Sequence, residues 1–180
     1  MKEMNKTKAI IQQKAKAIKL LVLDVDGVLT DRKIYLADSG HEYKAFNSLD
    51  GFGIKMLLKT GVQVAIITTR NSPVVQRRMH ELGVKHVYQG QEDKNLALQD
   101  LVSALNLTLD QVAYVGDDLP DLPLMRKVGI GIAVADAASY VLQHADWVTR
   151  AKGGKGAVRE VCELIMEAQQ TLARICEQYL

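Results

Sequence analysis

Long apolar runs are missing from this sequence. No window of about 18 uncharged apolar residues occurs, and Met1 to Lys19 holds no uninterrupted apolar core. Neither a membrane span nor a secretory signal is expected, and a cytoplasmic protein is. Cysteine is scarce: Cys162 and Cys176 both fall in the last helical pattern, with no Cys-x-x-Cys or Cys/His pairing near them, and read as reduced packing residues. The four histidines, His41, His80, His86 and His144, lack metal-site spacing and read as surface or satisfied side chains. Aromatic residues make up only 5%, and net charge is only +2. The lysines crowding the start (Lys2, Lys6, Lys8, Lys14, Lys16, Lys19) are interleaved with apolar and polar residues, which is the pattern of a solvated helix face rather than a nucleic-acid surface. Internal repeats and low-complexity linkers are absent too. With 180 residues, 48% of them hydrophobic, the chain can bury one good core and falls short of two ordinary domains, so residues 1–180 are expected to form a single domain.

What is present is organised around Leu20-Leu21-Val22-Leu23-Asp24-Val25-Asp26-Gly27. An apolar run broken by two carboxylates and a glycine reads as a buried parallel strand delivering acids to its C-terminal edge, where open α/β sheets place ligands. Two carboxylates that close repel unless a cation or a shared proton intervenes. Asp-x-Asp alone also occurs in solvated turns, and the apolar strand in front favours chemistry.

The rest of the chain alternates strands and helices. An opening helix over about Lys2 to Ala17 precedes the first strand at Ile18 to Asp24. Two short β-prone runs, Ile34 to Ala37 and Glu42 to Phe46, flank Asp38-Ser39-Gly40 and predict a projecting hairpin. Asp50-Gly51 reads as a turn before a helix ended by Gly61. Val62 to Ile67 is a second strand, followed by Thr68 to Ser72 and a Pro73-initiated helix with Val75, Met79 and Leu82 on one face. Further strands are expected at Val84 to Tyr88, Val112 to Val115, Ile130 to Val134 and Trp147 to Thr149. Helices are expected through about Asn106, near Ala137 to His144, and from about Val158 to Tyr179. Gly153-Gly154-Lys155-Gly156 lacks phosphate-loop spacing and reads as a flexible lead into the last helix. Short connections between alternating elements describe a doubly wound parallel sheet with right-handed crossovers.

Four successive strands end in pointed chemistry: Asp24 and Asp26, then Thr68 with Arg70, then Lys94 after a short loop, then Asp117. Parallel strands gather such ends at one rim. The set holds two acids for chemistry, a hydroxyl and an ammonium for phosphoryl oxygens, and a further acid for a hard cation. Singly, each has a dull explanation: a capping threonine, a surface lysine, an acidic loop. Together they resemble the haloacid dehalogenase superfamily, whose Asp-x-Asp, Ser/Thr, Lys and Gly-Asp-x-x-x-Asp signatures are matched by Asp24-Val25-Asp26-Gly27, Thr68, Lys94 and Gly116-Asp117-Asp118-Leu119-Pro120-Asp121.

That resemblance implies a Rossmannoid α/β fold and a phosphatase in which Asp24 becomes an aspartyl-phosphate and Asp26 serves as acid and then base. It implies Mg²⁺ held by the Asp24 carboxylate, the Asp26 main-chain carbonyl and Asp117. Only a hairpin and one helix separate Asp26 from Thr68, so no separate cap domain fits. A closer similarity lies in Asp24 to Asp31, Lys44 to Asn47, Asp50-Gly51, Val87 to Gly90, Ala113 to Asp118 and Gly153 to Glu160. These stretches resemble the branch of that superfamily acting on 3-deoxy-D-manno-octulosonate 8-phosphate on the way to lipopolysaccharide, which implies a homotetramer whose hairpins form a barrel and whose subunits help cover each other's sites. Carried over by position, the substrate side comprises Asp26, Asn47, Ser48, Leu49, Asp50, Gly51, Lys55, Arg70, Arg78 and Lys94. Two positions depart from that pattern: Thr69 replaces a glycine beside the phosphate pocket, and Leu49 stands where an arginine is expected.

Competing readings are a phosphatase for nine-carbon ketodeoxy acid sugar phosphates, a broad sugar phosphatase, and a non-hydrolytic phospho-acceptor module. Arg70 favours the eight-carbon substrate, because the nine-carbon relatives tend to carry glutamate there. Phospho-acceptor modules take their acids from two different strands, whereas here Asp24 and Asp26 share one, which favours turnover.

Overall fold

Helix α1 (Lys2–Ala15) packs Ile11 and Ala15 into the core and leads to β1 (Leu20–Leu23), the buried middle of the fold. The computed structural model describes residues 2–38, 40 and 42–180; Ser39 and His41, from the expected hairpin turn and histidine set, lie outside the described residues. After β1 the chain forms an antiparallel hairpin, β2 (Tyr35–Leu36) and β3 (Glu42–Tyr43), which makes its own small sheet. There follow α2 (Ser48–Lys59), β4 (Gln63–Ile67), α3 (Pro73–Leu82), β5 (His86–Tyr88), α4 (Lys94–Ala104) and β6 (Val112–Gly116). The remainder comprises α5 (Leu122–Met125), β7 (Ile130–Ala133), α6 (Ser139–His144), β8 (Trp147–Val148), α7 (Ala157–Ala168) and α8 (Leu172–Cys176).

Six parallel strands lie in the order β5-β4-β1-β6-β7-β8. From β1 the chain winds outward to β5, then returns to β6 on the other side of β1. That reversal is the switch point at which a doubly wound sheet opens a crevice at its carboxyl edge. Strand β1 is buried throughout, as are Val64 to Ile67, Val112 to Gly116 and Ile130 to Ala133. Such unbroken apolar runs belong to strands covered on both faces. The expected fold class is the observed one.

Helix boundaries follow local chemistry. Asn47 Oδ1 accepts the Leu49 N–H at 2.8 Å and caps α2, so the Asp50-Gly51 pair read as a turn lies inside the first turn of a helix. The glycine there has a packing role, because a Cβ on Gly51 would strike the Arg78 guanidinium. The long final helix is also interrupted. Gln170 adopts φ +57°, and Thr171 N–H reaches Met166 O (2.8 Å) while Gln170 N–H reaches Glu167 O (3.0 Å). This is the paired bonding of a left-handed helix terminus, made here without glycine. Beyond it α8 begins afresh. Cys162 packs in the core as expected, and burial pushes its thiol up; Cys176 is exposed, contrary to its reading as a packing residue.

Candidate active site

Asp24 follows β1 and Asp117 follows β6, and the paired register (Leu23 opposite Val115) puts Asp24 level with Gly116, with Asp117 one residue past it at the same edge. The Asp24 N–H bonds Val115 O at 3.1 Å, extending the ladder to the point where the carboxylates diverge into the crevice. Gly27 at φ +96° brings the turning backbone against Asp117, where a Cβ would overlap the carboxylate. A 3₁₀ turn over Leu119–Asp121 folds back onto this rim in the segment read as a loop. Asp121 Oδ2 accepts the Asp117 N–H at 3.0 Å, and carboxylate oxygens of Asp24, Asp117 and Asp121 lie within 4.8 Å of one another.

Two opposing cations sit on this acidic cluster. Buried Lys94, at the start of α4, donates to Asp24 Oδ1 at 2.9 Å and to Asp121 Oδ1 at 2.7 Å. Arg32, itself at φ +71°, places Nε 2.7 Å from Asp117 Oδ2. Tyr114 donates its hydroxyl from the sheet core to Asp121 Oδ1 at 2.7 Å. Three acids against these partners leave negative charge uncompensated. Burial, then Asp121, push Asp24 up to about 6 despite Lys94. Burial, then Asp121 and Asp24, push Asp117 up to about 7 despite Arg32. Burial works against the Lys94 ammonium, yet Asp24 and Asp121 raise it overall. Clustered hard oxygen donors that resist ionisation together fit a divalent cation such as magnesium.

The other expected residues occupy the surrounding wall. Thr68, buried after β4, stands one residue past the position level with Asp24. Asp26 meets two cations, Lys44 and, at 3.6 Å, Arg70. At the start of α2, Asn47 Nδ2 donates to Gly154 O at 3.2 Å, and the Gly154 N–H bonds Val28 O. The glycine-rich lead therefore packs against the Gly27 turn, and a methyl group on Gly153 would overlap the Gly27 carbonyl. Ser48 and Leu49 are exposed beside it. Asp50 is engaged elsewhere: its carboxylate accepts the N–H groups of Arg159 (2.8 Å) and Gly156 (3.2 Å), fixing the start of α7. Arg78 crosses over Gly51 from α3, with Nη1 3.3 Å from Glu81 and Nε buried without an acceptor among the described residues. Lys55 is exposed farther along α2.

Sequence reasoning left Lys44, Arg32 and Tyr114 out of the site. Tyr114 had a signal, a phenol inside an otherwise apolar strand, and Asp121 was visible in its acidic loop. Lys44 opened the Lys44 to Asn47 stretch that carried the family resemblance, and Arg32 had no signal beyond its charge.

Residues 84–161 match the family model of haloacid dehalogenase-like hydrolases. The chain is 51% identical over 164 residues to the 3-deoxy-D-manno-octulosonate 8-phosphate phosphatase KdsC of Escherichia coli strain B, covering 91% of this chain and 87% of that one. A crystal structure of the phosphatase of that name from Yersinia pestis superposes with a TM-score of 0.90 at 49% identity, covering 91% of this chain and 89% of the other. Another, from Moraxella catarrhalis in complex with magnesium, phosphate and KDO, gives 0.92 at 46% identity, covering 94% and 98%. With relatives this similar along most of their length, and with the acids and lysine of the signature meeting at one sheet edge, the chain belongs to the 3-deoxy-D-manno-octulosonate 8-phosphate phosphatase family of haloacid dehalogenase-like hydrolases.

Proposed function

We propose that residues 1–180 form one magnesium-dependent phosphatase domain that hydrolyses 3-deoxy-D-manno-octulosonate 8-phosphate to the free acid sugar and phosphate, in lipopolysaccharide precursor synthesis. The observation carrying this reading is the convergence of Asp24, Asp117 and Lys94 at the switch-point crevice. Asp24 attacks phosphorus while the bond to the sugar oxygen breaks, and Asp26 gives that oxygen its proton. Water then attacks the aspartyl-phosphate, Asp26 takes up the proton, and phosphate leaves. Lys94 has three donors, enough to keep its two acids and still meet a phosphoryl oxygen; Thr68 offers a hydroxyl beside it. Magnesium, when bound, supplies positive charge between an anionic nucleophile and an anionic phosphate. The Asp24 and Asp117 carboxylates and the Asp26 main-chain carbonyl would hold it.

For the acid sugar, Arg70, Arg78 and Lys55 are the cations, with the 47–51 segment (Asn47, Ser48, Leu49, Asp50, Gly51) as the facing wall. Arg78, with its buried unpaired Nε, supports this most directly. The exposed hairpin side chains Tyr35, Leu36 and Tyr43 support a homotetramer assembled through the hairpins. Among the described residues no helix is long and apolar enough to cross a membrane, and we place the enzyme in the cytoplasm, without nucleic-acid or membrane partners. Comparing kcat/KM for the eight-carbon and nine-carbon ketodeoxy sugar phosphates, with Mg²⁺, tests the substrate. The eight-carbon compound is expected to win; an equal or reversed preference overturns the assignment.

A further inference from the structure

The side chain of Lys44, just after β3, is fully buried, an uncommon position for an ammonium unless acids receive it. It donates to Asp26 Oδ1, and Glu42 Oε1 lies 3.2 Å from the same nitrogen. The same Glu42 oxygen accepts from Arg70 Nη2 at 3.0 Å, so one carboxylate of the hairpin braces two cations around Asp26. The second oxygen of Asp26 is treated differently: Oδ2 is buried and has no hydrogen-bond partner among the described residues, with Arg70 Nε 3.6 Å away, in ion-pair range but beyond hydrogen-bond distance.

An ammonium only donates. The oxygen facing Lys44 therefore accepts, whether or not the carboxyl group carries a proton, and a proton on Asp26 resides on Oδ2. We propose that Lys44 is a positioning residue for the phosphatase reaction: by holding Oδ1 it turns Oδ2 toward the leaving-group oxygen. As the phosphorus–oxygen bond breaks, its electron pair stays on the sugar oxygen and the Oδ2 proton moves there. In the second step the proton of the attacking water returns to Oδ2. Lys44 itself does not touch substrate. The hairpin thus carries two functions, with apolar side chains exposed and Glu42 and Lys44 turned to Asp26.

This inference rests on the acid role of Asp26 proposed above, and the test separates the two. Single-turnover rates of leaving-group release are measured for the full-length Lys44→Met, Lys44→Arg and Asp26→Asn variants with Mg²⁺. The sugar phosphate leaves as an alcohol that needs a proton, whereas p-nitrophenyl phosphate leaves as a stable phenolate that needs none. Lys44→Met is expected to slow release of the sugar on the order of 100-fold, the scale of a lost general acid, with little change for nitrophenolate, and Lys44→Arg is expected to restore most of the rate. Equal slowing of both substrates, or an unchanged sugar rate, overturns the proposal. If Asp26→Asn shows the selective loss and Lys44→Met does not, the positioning role fails and the acid role stands. If Asp26→Asn shows none, the acid role fails and takes the inference with it. Should Lys44→Met not fold, Lys44→Leu, which likewise offers no donor to Oδ1, carries the same comparison.

Discussion

Asp24 Oδ1 accepts a hydrogen bond from Lys94 Nζ at 2.9 Å, although the two residues stand 70 positions apart in the chain. The contact exists because β1 and the loop after β5 deliver their chemistry to the same sheet edge. It also makes Lys94 the main buried counter-charge for two acids, Asp24 and Asp121.

Replacing Lys94 with methionine leaves both carboxylates buried without their ammonium. Breaking a buried ion pair from one side costs roughly 3–5 kcal/mol, so urea denaturation of the metal-free variant is expected to show a loss near the lower figure. Added Mg²⁺ is expected to restore part of it, since the cation replaces some of the missing charge. Unchanged stability would mean that the acids do not depend on Lys94.

The raised values of Asp24 and Asp117 set a pH dependence. Both folded-state values, about 6 and about 7, lie above the ordinary 3.8, so each group holds a proton in the folded protein where the unfolded chain has released it. The metal-free protein is therefore expected to lose stability as pH rises from about 4 through about 7. Magnesium binds the ionised acids, and its apparent affinity is expected to climb over the upper part of the same window. Thermal midpoints with and without Mg²⁺, measured against pH, check this. Converging rather than diverging curves at higher pH would contradict it.

Much of the rim was legible in the sequence. The apolar run of β1 stops abruptly at Asp24, the run of β6 stops at Asp117, and once the strands are parallel the two ends must be neighbours. Where sequence reading failed, the deciding contact was distant. Asp50-Gly51 looks like a turn until Asn47 caps the helix ahead of it and Arg78, from another helix, occupies the space above Gly51. Gly153 looked like slack chain and is instead pressed against Gly27, more than a hundred positions away. Lys44 lies in the second β-prone run of the hairpin, and nothing local records that Asp26 and Glu42 will enclose its ammonium. The break at Gln170 was hidden for another reason: a left-handed helix end usually announces itself with glycine, and here glutamine adopts it.

Tyr114 offers a test of the support behind the acids. Its ring is completely buried in β6 and its hydroxyl donates to Asp121 Oδ1. Tyr114→Phe keeps the ring and removes the donor, at a cost of about 1.5–3 kcal/mol for a hydrogen bond to a charged acceptor. Chemical denaturation is expected to read that loss, with the spectroscopic signature of the fold unchanged. No loss would mean that Lys94 and the main-chain N–H groups alone satisfy Asp121.

The most direct test is to capture the phosphoryl group on the enzyme. Mixing the protein with substrate and Mg²⁺, quenching in acid during the first turnover and mapping peptides by mass spectrometry is expected to find one phosphate-mass adduct on the peptide holding Asp24. The Asp24→Asn variant is expected to show neither adduct nor phosphate release. Substantial phosphate release by that variant, or an adduct on a different residue, would contradict the account.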